Sequence, residues 1–393
     1  MRGLRKYLTP FAPDQSGAVS VLYELGGLIA ICDAGGCTGN VCGFDEPRWF
    51  EQKSALFSAG LRDMDAILGR DDRLVEKLVD AASKLDVKFV AIIGTPVPAV
   101  IGTDYKALGR MCEKRLNMPV ITIDTDGMEL YDVGEEKAWL ELFGTFAEKG
   151  KPNLDIEKKR GKIGVLGLTP QDISDLRAPK KIREYYQEKE GKEAICYCMG
   201  ENVCRSTYGL DNHRTAGEVE KNIVVSPAAL ATAKYLEKTF GTPYEVTYPI
   251  VEELVPDMDY RGKKILIVHQ QVIGNAMRAE IRRRCQKVNG DPSVDNNAVI
   301  TVASWFMMKQ ELSEEGDISL REEDDYMELV REEDYDIVFA DPMMKRMTED
   351  AYKMAGTGYA ADAYETERKR IFIDATHFAV SGKLREEMKK REA

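Results

Sequence analysis

The sequence lacks a basic excess, a long apolar run and the common nucleotide-binding signatures. Its 55 Lys and Arg stand against 67 Asp and Glu, a net charge of −12. That balance excludes a chain built mainly to neutralise a phosphate backbone, so nucleic acid is not an expected partner. A local basic dock for an acidic partner stays open. No segment approaches the ~20 apolar residues of a membrane span; the most apolar early stretch, residues 19–32, is broken by Glu24 and by Gly26-Gly27. Residues 1–13 lack the apolar core of a secretory signal. A cytoplasmic chain with no membrane partner is expected. Its eight cysteines are too few for a disulfide scaffold, so clustered thiols read as metal ligands or redox groups. No G-x-x-x-x-G-K-S/T occurs, which excludes ATP hydrolysis by a P-loop. The absence of G-x-G-x-x-G after a strand weakens a nicotinamide reading, and neither H-E-x-x-H nor G-x-S-x-G is found.

What is present is an ordinary globular composition, 44% hydrophobic and 31% charged over 393 residues, long enough for two or three domains. Short apolar runs alternate with helix-length amphipathic segments. Runs at 28–32, 88–93 and 120–124 read as buried strands, with helices at 72–85 and 105–116. Residues 148–161, charged and holding Gly150 and Pro152, read as a linker. A second set of strands falls at 162–166, 193–197 and 222–225, followed by a helix at 227–240 with Pro at its start and Gly241 after its end. A third set falls at 264–269, 298–303, 336–340 and 370–374, with a helix at 274–287. The acidic segment 311–334 reads as a solvated helix-and-loop face. Strands alternating with helices imply an α/β fold: three Rossmann-like domains, 1–150, 151–258 and 259–393, each with a parallel sheet flanked by helices.

Ligands of open α/β sheets gather beyond the carboxyl ends of the strands. There the sequence places Cys32 to Cys42, Thr95, Cys196 with Cys198, Ser226, His269, Asp341, and Asp374 with His377. Cys32, Cys37 and Cys42 lie five apart among Gly35, Gly36, Gly39 and Gly43. Glycines such as Gly36 and Gly39 let a backbone approach a bulky inorganic group, and thiolates are the ligands an iron–sulfur cluster requires. Cys37 and Cys42 read as ligands or redox groups; Cys32 reads equally as a ligand or as a small hydrophobe closing a buried strand. Cys196, Cys198 and Cys204 form a second group, either a metal or redox site or core. Cys112 and Cys285 lie in helices and read as inert. His269 and His377 close strands, where a histidine is either a hydrogen-bonded structural residue or a proton donor. His213 sits in a polar loop.

Residues 12–20 with Asp33-Ala-Gly-Gly-Cys37, and residues 64–69, 94–104 and 220–226, together resemble segments of the nitrogenase component 1 (molybdenum–iron protein) family. Residues 12–20 through Asp33-Ala-Gly-Gly-Cys37 resemble that family's amino-terminal glycine-containing segment and the strand that ends in its cluster cysteine. Residues 64–69 look like its next block, residues 94–104 like its Cys-Pro-x-x-x-Ile-Gly-Asp-Asp loop, and residues 220–226 like the segment with its cofactor-ligating cysteine. The departures are specific. Cys37 matches one cluster ligand, but Ala12 or a neighbour, and Thr95 or Pro96, stand where the other two belong; Ser226 stands at the cofactor cysteine, and His377 lies near the region of the cofactor histidine. The resemblance therefore implies no nitrogenase-type molybdenum cofactor. It implies instead a [4Fe–4S] cluster held at a dimer interface by Cys37 and Cys42 from each of two copies, in a homodimer or a related heterodimer. It also implies an oxidoreductase subunit that accepts electrons from a separate ATP-hydrolysing iron protein and reduces a small molecule near Ser226, His269, Asp341 and His377. The rival expectations are a metallocluster scaffold or carrier in cofactor assembly, and a non-catalytic small-molecule-binding protein that kept the fold.

Overall fold

The four residues Leu28–Ile31 are apolar, β-prone and completely buried, and they form β1 at the centre of the first sheet. A side chain of this kind contributes roughly 1.5–3 kcal/mol when fully buried. The computed structural model describes residues 5–69, 71–147, 161–197, 199, 208–287, 297–354 and 370–379. Among these, thirteen strands form three parallel sheets flanked by helices.

The chain divides into two compact units. The unit Phe11–Val246 holds two sheets. In the first, β1 is flanked by β2 (Ala55–Ser58) and β3 (Val90–Ile93), with β4 (Val120–Ile123) beyond β3, all parallel. In the second, β5 (Lys162–Leu166) is flanked by β6 (Glu193–Cys196) and β7 (Lys221–Val224), with β8 (Tyr244–Val246) beyond β7. Each sheet starts in its middle and winds first to one side, then to the other. A switch point therefore opens between β1 and β3, and another between β5 and β7.

Two helices at the heart of this unit, α1 (Asp14–Leu22) and, further along the chain, Tyr131–Phe146, run against each other with almost no side chain between them. Gly17 lies on the Tyr131 backbone and Gly134 on the Asp14 backbone. Asp14 is enclosed and accepts the amides of Gly127 (2.8 Å) and Asp126 (3.0 Å), tying α1 to the loop after β4. Tyr131–Phe146 packs on β4 and also on the helix Leu230–Phe240 beside the second sheet, burying Trp139, Leu142 and Phe143.

The second unit comprises Met1–Pro10 and Thr247–Ala393. Its five-stranded sheet has the order β11-β10-β9-β12-β13, formed by β9 (Lys264–Val268), β10 (Val299–Ser304), β11 (Ile318–Ser319), β12 (Ile337–Ala340) and β13 (Ile371–Asp374). Its switch point lies between β9 and β12. Among the described residues no helix is long and apolar enough to cross a membrane.

The acidic segment 311–334 is for the most part the solvated helix-and-loop face that its composition predicts, with two internal exceptions. It contains the helix Glu323–Glu333, but Glu323, Tyr326 and Val330 are buried. Asp317 is enclosed against the equally enclosed Arg278 at 2.6 Å, so that charge is spent on an internal ion pair. Glu323 accepts the consecutive amides of Lys6, Tyr7 and Leu8 at 2.7, 2.9 and 2.7 Å. Successive N–H groups closing on one anion make a nest, and here it fixes the amino-terminal segment to its own unit. Losing such charge-assisted bonds costs on the order of 1–2 kcal/mol locally. Glu323→Ala should therefore make residues 5–10 about tenfold more susceptible to limited proteolysis; an unchanged cleavage rate would show that the nest does not hold the segment.

Candidate functional site

The first site begins where β1 stops. Cys32 donates its amide to Ile93 (2.9 Å), and its carbonyl accepts the Thr95 hydroxyl (2.6 Å), so the chain is pinned across the switch point. The Cys32 side chain lies in the core with Val75, Leu78, Tyr105 and Cys112, and burial, with Asp33 and Cys112 adding to it, pushes its thiol up to about 12. Asp33, 2% exposed, holds the next turn. Its Oδ1 accepts the Ser58 hydroxyl at 2.5 Å and its Oδ2 the Thr38 amide at 2.7 Å. Gly35, at φ 117°, takes the left-handed turn that starts a short helix, α2 (Gly36–Asn40), in a conformation a side chain would strain.

This helix does not end; it widens. Val41–Asp45 is a π-helical turn, closed by the Glu46 amide on the Val41 carbonyl at 2.9 Å. Such turns are costly and concentrate at functional sites. Asp45 stabilises it by accepting the Asn40 amide (2.6 Å) and the Ser16 hydroxyl (2.7 Å), and its carbonyl accepts Gln171 at 2.5 Å. Arg48 fastens the exit: it is ion-paired with Glu46 (2.7 Å) and Glu24 (3.2 Å), donates to the Ser20 carbonyl (2.7 Å), and lies over the Tyr23 ring.

Cys37 and Cys42 are the two cysteines of this loop that reach solvent. Partial burial raises both thiols, helped by Asp33 at Cys37 and by Glu46 at Cys42, while Lys53 pulls Cys42 the other way. They are therefore protonated at neutral pH, and a metal would have to displace those protons. Around them is open room: a Cβ at Gly35, Gly36, Gly39 or Gly43 would meet nothing within 4 Å. Among the described residues no three His, Cys, Asp or Glu side chains converge to hold a metal ion. The loop thus fits a cluster only as one half of its ligand set.

The same carboxyl edge of the first sheet is apolar. Phe44 (73% exposed) lies in the π turn, Val100 (87%) in Pro96–Ile101 after β3, and Met128 (81%) follows β4. Large exposed apolar side chains at one sheet edge are the kind of surface that interaction sites use.

The second site is in the other unit, at the β9/β12 switch point. His269 follows β9, Asp341 follows β12 and His377 follows β13, and all three are buried. The rings of His269 and His377 stack at 4.5 Å, 2° from parallel, with Phe378 on the far face of His377 (4.4 Å) and Phe306 at its edge (4.9 Å). His269 Nδ1 accepts the Gln270 amide at 2.8 Å, which places the ring proton on Nε2. Burial, and then His377, depress His269 well below its ordinary value, so it is neutral. Asp341 positions the pair by accepting the His377 amide (3.0 Å) on Oδ2 and the Met343 amide (3.0 Å) on Oδ1.

Ser226 belongs to the first unit, where its Oγ caps the turn Pro227–Ala229 by accepting the Ala228 amide at 3.2 Å. Cys196 is partly buried, with its Sγ 3.7 Å from the Pro179 carbonyl. Cys198 and Cys204 lie outside the described residues. Cys112 and Cys285 are buried. Sequence reasoning singled out neither Asp33 nor Arg48; their signal was a charged residue adjoining a fully apolar strand or a glycine-rich loop.

The nitrogenase component 1 type oxidoreductase family matches residues 16–251. Over 194 residues the chain is 23% identical to the nitrogenase iron-molybdenum cofactor biosynthesis protein NifE of Bradyrhizobium diazoefficiens, covering 48% of this chain and 32% of that protein. Over 200 residues it is 26% identical to NifE of Clostridium pasteurianum, covering 50% and 40%. The match thus spans two fifths or less of these relatives' own lengths. Among solved structures, nitrogenase Cp1 at pH 6.5 superposes with a TM-score of 0.62 at 13% identity, covering 99% of this chain and 93% of that one. Cp1 at pH 5 gives 0.55 at 15% identity, covering 99% and 80%. These likenesses show a common fold. With the family matched over more than half its length, the chain belongs to the nitrogenase component 1 type oxidoreductases.

Proposed function

We propose that the chain is a cytoplasmic iron–sulfur subunit that dimerises through the carboxyl edge of its first sheet, with Cys37 and Cys42 of two copies holding one [4Fe–4S] cluster. The observation that carries this is the pairing of two solvent-reaching thiols, Cys37 in the glycine-rich α2 and Cys42 in the π turn that continues it, with exposed Phe44, Val100 and Met128 at the same sheet edge. One chain supplies two thiolates, and a cluster of this type takes four. A second copy, or a related chain, would supply the others and cover the apolar rim. Cys32, enclosed in the core, is left out of the ligand set. The bound cluster would supply one-electron transfer. Electrons would come from a separate ATP-hydrolysing iron protein and pass to a small-molecule substrate. The buried His269–His377 stack with Asp341 is the second site to which we assign proton handling; a neutral His269 exchanges protons through Nε2.

A second reading is favoured by the printed role of the relatives, cofactor biosynthesis: the chain would then hold a metallocluster and hand it on. Anaerobic reconstitution followed by iron and sulfide quantitation tests the shared premise. About two iron and two sulfide per chain are expected, with a paramagnetic signal on reduction. Cys37→Ala and Cys42→Ala should each lose the cluster, whereas Cys112→Ala should keep it. Wild-type protein without iron, or iron undiminished in both loop variants, sinks the proposal. Cluster transfer to an acceptor protein without turnover would select the scaffold over the reductase.

A further inference from the structure

Glu135 lies in the middle of the helix Tyr131–Phe146, and its side chain is completely enclosed. Neither carboxyl oxygen has a hydrogen-bond partner among the described residues. The Trp139 indole N–H, one turn further along the same helix, is likewise buried without a partner, and the buried Thr169 hydroxyl faces the carboxyl without closing a well-formed hydrogen bond. The charges facing Glu135 are mostly of its own sign. Asp172 approaches from the loop after β5 and Asp132 from the same helix, while the Arg48 cation is ion-paired with Glu24 and Glu46. Burial, followed by Asp172, raises the Glu135 carboxyl well above the ordinary range, against weaker opposition from Thr169 and Arg48.

Asp172 is placed differently. Its Oδ1 accepts the Tyr131 hydroxyl at 2.6 Å, a donor of a kind that Glu135 lacks. Two carboxyl groups enclosed together do not both ionise, so the group without such a donor keeps the proton. We infer that Glu135 is an internal proton-holding residue: a neutral carboxylic acid at neutral pH, enclosed beside Asp172 at the carboxyl edge of the second sheet. The position is the β5/β7 switch point, where open α/β sheets receive ligands. Thr169 and Asp172 lie in the loop after β5, and Gly167 of that loop sits so close to Ser226 that a Cβ there would come within 2.6 Å of the serine Cβ. The neighbouring Gln171 bonds to Asp45 in the π turn of the cysteine loop. The use of this proton rests on the reductase reading above, since reduction of a small molecule consumes protons as well as electrons.

The inference itself is tested on the full chain as purified, with no iron needed. Infrared difference spectroscopy of wild type minus Glu135→Gln at pH 7 should show the C=O stretch of a protonated carboxylic acid, shifted in D2O. Asp172→Asn should keep that band at a shifted frequency, because the charge and polarity enclosed beside it have changed; this variant decides the matter if Glu135→Gln does not fold. Stability gives a second readout. The folded chain keeps a proton that the unfolded chain releases above the ordinary glutamate range. The folding equilibrium of wild type should therefore fall by about tenfold per pH unit relative to Glu135→Gln as pH rises above that range. Carboxylate bands in place of the C=O stretch, a band left unshifted by Asp172→Asn, or parallel pH profiles would overturn the assignment. Such a failure leaves the cluster reading intact, and a failure to bind iron leaves the proton site intact.

Discussion

Arg48→Ala should destabilise the unit Phe11–Val246 by about 3–5 kcal/mol, the range for removing one partner of a buried ion pair. Arg48 is enclosed together with Glu24 and Glu46, whose side chains are 9% and 2% exposed, and it bonds to both. Truncation leaves two buried carboxylates without their counter-ion and opens a hole over Tyr23. For a unit of this size the melting temperature should drop by about 10 °C. The cost lies in the orphaned charges rather than in lost attraction, so Arg48→Met combined with Glu46→Gln should recover part of the loss. A decrease below about 1 kcal/mol would mean that the pair behaves as a surface salt bridge. Arg48 also holds the chain where it leaves the π turn. Under the proposed cluster assignment, the same variant should also weaken iron retention at Cys42 in molecules that remain folded.

The sheets were legible because their inner strands are runs of buried Leu, Ile, Val and Ala bounded by glycine or proline. β1, β3, β5, β9 and β12 fall within a residue or two of where those runs predict them. The strands that escaped, β2, β8 and β11, lie at sheet edges, and their side chains are half-exposed or exposed. Such strands need no continuous apolar run, so periodicity does not mark them. Strand-end position was enough to single out His269, Asp341 and His377, which the β9/β12 switch point then brings to one place. Glu135 could not be found this way. In sequence it stands in Glu135-Glu136-Lys137, which reads as a solvated helical face, and Asp172 lies far from it along the chain. Their meeting depends on how closely Tyr131–Phe146 docks, and that is set by two glycines whose purpose appears only in three dimensions.

Gly134→Ala is the other substitution expected to have a large effect. A Cβ at Gly134 would come far closer than van der Waals contact to the Asp14 carbonyl oxygen, and one at Gly17 likewise to the Tyr131 carbonyl oxygen. Where an overpacked side chain can rotate away, the cost is about 1–3 kcal/mol. Here both obstacles are main chain, so α1 and Tyr131–Phe146 must move apart, and the upper end of that range applies. Alanine's better helix propensity returns only about 1 kcal/mol, which leaves a net loss of roughly 2 kcal/mol or more. The two glycines face one interface, so their costs should not add. Once Gly134→Ala has separated the helices, Gly17→Ala should add little, and urea denaturation of the two single variants and the double variant measures that coupling. Full additivity would mean that each site relaxes on its own and that the helix pair does not move as a unit. Separation would also loosen the enclosure of Glu135 against Asp172. Gly134→Ala should then flatten the pH dependence of stability in the same direction as Glu135→Gln, which ties the close approach of two helices to the state of the proton between them.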